Sequence, residues 1–169
     1  MLRIPYFLMI LLVSALVLVQ ESLAGPPDFR MVRWGMGKIA VMAAEKSVPE
    51  PVSGPYLAYR IWLLDQEVFL RYRFVENRLL EARYVFTQTS SYGEDKIRQV
   101  LESKYGAGNL ESEDPVRWVW ETERTRILMD KTDEGYPRVL YTGKEMARWF
   151  KERQQNRMQE EKARILDLF

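Results

Sequence analysis

Residues 67–87 read EVFLRYRFVENRLLEARYVFT, and this stretch decides the fold. From Glu67 to Val75, Val68, Leu70, Tyr72 and Phe74 alternate with residues that include Arg71 and Arg73. From Leu79 to Thr87, Leu80, Ala82, Tyr84 and Phe86 alternate with Glu81 and Arg83. Period-two alternation predicts two strands with one buried face. Glu76-Asn77-Arg78 closes them into a hairpin, since Asn tolerates the left-handed backbone of a tight turn. The expected pairing sets Phe74 opposite Leu80 and Tyr72 opposite Ala82. A one-residue slip would carry arginines into the core, so the register is strongly specified.

The flanking sequence extends this sheet. Tyr56–Leu64 reads as a third strand. Before it, Met36, Ile39, Ala40 and Ala43 recur at helical spacing and predict a helix over Met36–Lys46. Pro49, Pro51, Gly54 and Pro55 make Ser47–Pro55 a loop. Downstream, Ser91 and Glu94 form the pattern of a capping box. Ile97, Val100, Leu101 and Tyr105 supply a helical stripe, and Gly106 the stop. Gly108–Pro115 reads as an acidic loop. Strands are expected at Val116–Thr122, Arg124–Asp130 and Arg138–Tyr141, with a turn at Asp133-Glu134-Gly135. Thr142 and Glu145 read as another capping box, opening a helix over residues 143–169.

A shift of 58 residues superposes landmarks of the two halves without a gap. Trp34-Gly35 falls on Tyr92-Gly93, Lys38-Ile39 on Lys96-Ile97, Trp62 on Trp120, and Phe69 on Ile127. The order of helix, loop, Trp-bearing strand and hairpin recurs. The predicted fold is α+β: tandem αβββ-αβββ units near residues 28–87 and 87–142, within a domain over 25–142, followed by a long C-terminal helix.

An aromatic-Gly pair opening a helix before a Trp-bearing antiparallel sheet resembles two exported groups. One is the small outer-membrane assembly lipoproteins (the SmpA/OmlA family); the other is the tandem-repeat β-lactamase-inhibitor fold. The matching residues are Gly35, Met36, Lys38, Val41 and Pro49, then Gly93, Lys96, Tyr105 and Gly106. The lipoproteins carry an N-terminal lipidated Cys that has no counterpart here, and Gly37 stands where they usually have Thr or Ser. The resemblance therefore implies a shared fold rather than a shared role in outer-membrane assembly.

The N-terminal segment speaks to location. Arg3 precedes an apolar run from Ile4 to Val19, and Ser22 and Ala24 are small. This is the pattern of a secretory signal cut after Ala24. The competing reading is an uncleaved anchor, but a span needs about 20 apolar residues, and Gln20 and Glu21 end this run. Cleavage would leave 145 of the 169 residues, with the net charge of +1 unchanged because Arg3 and Glu21 depart together. A periplasmic or secreted location, with no membrane span after cleavage, is expected.

Composition excludes several chemistries. The chain has no His and no Cys. Ser-His-Asp and Cys-His nucleophile systems, the common zinc sites and Cys-ligated clusters are ruled out with them. No Walker A, GxGxxG or EF-hand pattern occurs, so no cofactor is expected. Balanced charge gives no overall drive toward nucleic acid. Glu111, Glu113 and Asp114 read as a solvated acidic loop.

Two groups of residues are candidate partner-binding sites. Arg60, Arg71, Arg73 and Arg83 fall on the solvent face of the sheet, where guanidinium groups either bind carboxylates or are neutralised across strands, for example Arg73 by Glu81. Ile165, Leu166, Leu168 and Phe169 give the last helix an apolar tip beyond a polar middle, with Met158 near the same face as Ile165 and Phe169. Met158, Ile165, Leu166 and Phe169 therefore form the second group, while Met146, Trp149 and Phe150 are expected to dock the start of the helix. Trp34, Trp62, Trp118, Trp120 and Trp149 are expected to pack mainly in the core. The expected class is an exported interaction module whose partner is another envelope protein or a second copy. The rivals are a carboxylate-based, glycoside-acting envelope hydrolase and an inhibitor of an extracellular enzyme.

Overall fold

The computed structural model describes residues 26–87 and 91–168. The predicted signal segment and Phe169 lie outside them. The described chain forms a helix α1 (Lys38–Glu45), strands β1 (Tyr56–Leu63), β2 (Gln66–Val75) and β3 (Arg78–Phe86), and a helix α2 (Ser91–Tyr105). Strands β4 (Asn109–Glu113), β5 (Val116–Glu121), β6 (Thr125–Lys131) and β7 (Pro137–Gly143) follow, then helix α3 (Lys144–Leu166). The strands make one antiparallel sheet in the order β1-β2-β3-β7-β6-β5-β4. The fold is α+β.

The β2–β3 hairpin forms as its alternation predicts. Tyr72 faces Ala82, and Val68, Leu70, Tyr72, Phe74, Ala82, Tyr84 and Phe86 are buried. Near the turn the register shifts by one residue. Phe74 pairs with Leu79 rather than Leu80, because a bulge between Arg73 and Phe74 lets both leucines bury. Glu76 and Asn77 both adopt positive φ, as a two-residue hairpin turn requires. The β1–β2 turn repeats this with Leu64 and Asp65.

The core lies on one side of the sheet, beneath α1, α2 and residues 28–36. Phe29 sits at its centre, with ring centroids 4.6 Å from Tyr141, 5.4 Å from Tyr84 and 5.9 Å from Tyr72. Trp34 Nε1 donates to Thr125 Oγ1 at 2.8 Å. A Cβ at Gly143 would stand 2.5 Å from Trp34 Cγ. Glycine at that position lets the indole lie flat on the end of β7.

Helix α1 buries a different face from the one expected. Ile39, Ala40 and Ala43 are exposed, and the inward residues are Val41, Ala44 and Glu45. The inward set keeps i, i+3, i+4 spacing but ends in a carboxylate, which hydropathy alone places outside. In α2, Ile97 and Leu101 are buried while Val100 is 46% exposed.

Three further expectations are corrected. The acidic stretch after Gly108 is strand β4, paired with β5 around a bulge, because its backbone satisfies the edge of β5 whatever its side-chain charge. Gly143, not Thr142, caps α3, and no side chain bonds the exposed backbone there. Trp62 is 73% exposed on the outer face of edge strand β1. The side chain of Ser91, proposed as a cap, is outside the described set.

The exposure of Trp62 bears on the gapless shift of 58. That shift places exposed Trp62 on buried Trp120, and half-buried Phe69 on fully buried Ile127. An even shift exchanges the two faces across the β3–β7 pair, where Ala82 meets Tyr141. The halves therefore do not superpose residue for residue at that offset.

Helix α3 leaves the sheet from the end of β7. Met146 is buried against Gly35, and Trp149 and Phe150 are half-buried beneath Arg78 and Arg73, at 5.1 and 5.8 Å. Arg153 Nε meets Glu76 Oε2 at 3.0 Å, and Arg157 also pairs with Glu76. Residues 151–168 are exposed. Among the described residues no helix is long and apolar enough to cross a membrane.

Candidate functional site

The sheet face opposite the core is a lattice of charged and apolar side chains fixed by strand register. One row runs Tyr56, Arg73, Glu81, Thr142, Arg126. The next runs Ala58, Arg71, Arg83, Leu140, Leu128. The third runs Arg60, Phe69, Val85, Arg138, Asp130. Alternation puts Arg60, Arg71, Arg73 and Arg83 on this one face, where the sequence placed them.

Most of these cations have partners. Arg73 pairs with Glu81 at 3.1 Å, directly across β2–β3. Arg60 pairs with Glu67 at 3.1 Å and Glu50 at 3.4 Å. Arg138 makes a two-point bond to Asp130, at 2.8 and 2.5 Å. Cross-strand neutralisation accounts for these three.

Arg71 and Arg83 are different. They stand directly opposite each other in the β2–β3 register. Among the described residues, no carboxylate lies within ion-pair distance of either. Like charges in this position are destabilising. The Arg71 guanidinium sits 3.7 Å from the centroid of the Tyr56 ring, which fixes its plane, and its buried Nε has no hydrogen-bond partner among the described residues. Burial, followed by the charges of Arg71 and Arg138, pushes the Arg83 guanidinium below its ordinary value, with Glu81 pulling the other way. The pair is positioned and partly desolvated, and no described carboxylate pairs with it directly. Two planar forks so held are suited to an anionic group.

Two adjoining recesses share this pair. The smaller is lined by Tyr56, Arg73, Glu81 and Leu140 together with Arg71 and Arg83. The larger, about 590 Å³, lies between the sheet and the proline-rich loop, with Pro51, Val52, Ala58, Phe69 and Val85 around it. The loop is tied down at both ends: Glu50 N donates to Ala58 O at 2.7 Å, and Phe74 N donates to Pro55 O at 2.8 Å.

The second predicted group is placed elsewhere. Met158, Ile165 and Leu166 are 63%, 50% and 66% exposed on α3, so they do not pack on the arginine face. Phe169 lies outside the described residues.

One polar cluster had no signal in the sequence. The Glu45 side chain is only 2% exposed. It accepts from Arg30 Nε at 3.2 Å and from the Tyr72 hydroxyl, and Arg30 also bonds Tyr84. Burial is the main cause that raises the Tyr72, Tyr84 and Tyr141 hydroxyls above their ordinary range. This network ties residues 28–36 and α1 to the sheet. It was hidden because a helical Glu normally reads as solvent-facing. Among the described residues no cluster of three acidic side chains is placed to hold a metal ion.

Comparison with family models, curated proteins and solved structures finds no match to this chain.

Proposed function

We propose that the chain is an exported binding module whose open sheet face takes an acidic partner at Arg71 and Arg83. The observation that carries this reading is the facing arginine pair, which no carboxylate among the described residues engages in an ion pair. A fold gains nothing from like charges set opposite each other, while a partner supplying one carboxylate satisfies both forks. Export rests on the apolar run from Ile4 to Val19 with small residues at Ser22 and Ala24, and it assigns a periplasmic or secreted location.

The same proposal reads the domain as two αβββ units of the kind found in the SmpA/OmlA lipoproteins and the β-lactamase-inhibitor fold. Strand order supports it: β1-β2-β3 and β5-β6-β7 meet at β3–β7 in opposite order, and a helix precedes each half. The units relate by an offset that preserves the faces, with β4 an addition at the second edge.

The test is capture from envelope fractions by the wild-type protein and by an Arg71→Gln/Arg83→Gln variant, read by mass spectrometry. An acidic partner retained by the first and lost by the second is the expected result. A partner set unchanged by the double substitution contradicts the proposal. N-terminal sequencing of the fractionated protein checks export: Gly25 is the expected first residue, and an intact Met1 in the membrane pellet contradicts it.

A further inference from the structure

The charge pair is only half of what the open face presents. Beside it lies a largely apolar recess with a stiff wall. Pro51 and Val52 form that wall, and the backbone bonds of Glu50 and Pro55 hold it in place. Phe69 and Val85 form the floor, one strand apart and directly paired. Among the described residues Glu50 is the one acidic group lining this recess, and Arg60 engages it at 3.4 Å. An anion entering beside Arg71 and Arg83 therefore meets those cations and the Arg73–Glu81 pair on one side and a largely apolar surface on the other.

Resting on the proposed role of the arginine pair, we infer that this recess is a site for a single-tailed amphiphile with an anionic head, carboxylate or phosphate. The head lies between Arg71 and Arg83, and the tail lies along Phe69 and Val85 under Pro51 and Val52. Charge complementarity places the head, since among the described residues no carboxylate lies within ion-pair distance of either guanidinium, and Glu81, already paired with Arg73, acts on Arg83 only from farther away. The pre-formed wall lowers the ordering cost of binding the tail. A protein segment carrying only acidic side chains would leave the apolar recess unused.

The experiment is calorimetric titration of the full chain with four probes: octanoate, octyl phosphate, acetate and 1-octanol. Octanoate or octyl phosphate should bind more than about tenfold tighter than acetate, the effect of burying two methylenes. 1-Octanol should be weaker by a similar factor, because it lacks the charge. Comparing the two eight-carbon anions assigns the head as carboxylate or phosphate, and tight binding of either supports the site. Arg71→Gln/Arg83→Gln should abolish the difference from 1-octanol. Val85→Asn should bring octanoate toward acetate. Both variants should melt no lower than about 2–4 °C below wild type, a shift of one kcal/mol at most. Eight-carbon anions that bind no tighter than acetate, or equally to the arginine variant, overturn the inference. If they fail while envelope capture still depends on Arg71 and Arg83, the ligand class falls and the binding module stands. If capture is also independent of those arginines, both fall.

Discussion

Glu45 shows how far a single residue can depart from its sequence pattern. It occupies a core position of α1, satisfied by Arg30 and Tyr72. Glu45→Ala should cost about 2–3 kcal/mol by urea denaturation; this sits below the usual range for a broken buried pair because the Arg30 side chain is 35% exposed and recovers some hydration. A loss under about 0.5 kcal/mol, the level of a surface substitution, would contradict the network. The tyrosines around it set the response to pH. Tyr72, Tyr84 and Tyr141 are raised by burial, so the folded state favours their neutral form. Their contribution to stability is complete below about pH 10, the unfolded value, and is lost as the pH rises above it. The urea midpoint should hold between pH 7 and 9 and fall beyond about pH 10. A midpoint that stays level or rises there would contradict the burial of these hydroxyls.

At the scale of elements, what was legible follows from periodicity. The β2–β3 hairpin alternates cleanly, so its faces could be read before its structure; only the bulge at Arg73–Phe74 escaped, because both Leu79 and Leu80 are apolar and either fits the core. Tyr72→Asp tests the register and should cost several kcal/mol, since it buries an unpaired charge. An unchanged melting temperature would refute it. Strand β4 was illegible because its pairing comes from the edge of β5 and not from its own acidic side chains. The face of α1 was illegible because its eight residues are too few to outvote one buried Glu. Helix α3 divides as its sequence suggests. Met146, Trp149 and Phe150 dock it, and Arg153 and Arg157 reach back to Glu76. Truncation after Arg157 removes only exposed residues and should change stability by less than about 0.5 kcal/mol. A loss above 2 kcal/mol would mean that the removed segment packs on the body.

At the scale of the whole molecule, the sheet separates two tasks. One face carries the aromatic core, and the other carries a charge lattice ion-paired at Arg60, Arg73 and Arg138 and, among the described residues, not at Arg71 and Arg83. Alternation alone gathered the four arginines on one face. It did not show which would be neutralised, because that depends on the cross-strand register to the residue: Arg73 meets Glu81, and two positions away Arg71 meets Arg83. Nor did it show the recess, which needs the proline loop folded back over β1. The central claim is that this pair is kept at a cost to stability for the sake of an anion. Equilibrium urea denaturation of Arg83→Glu tests it most directly. A carboxylate opposite Arg71 turns a repulsion into a cross-strand attraction, so the account predicts a gain of about 1 kcal/mol. A loss of 1 kcal/mol or more would show that Arg83 already has favourable partners in the free protein, and would contradict the account.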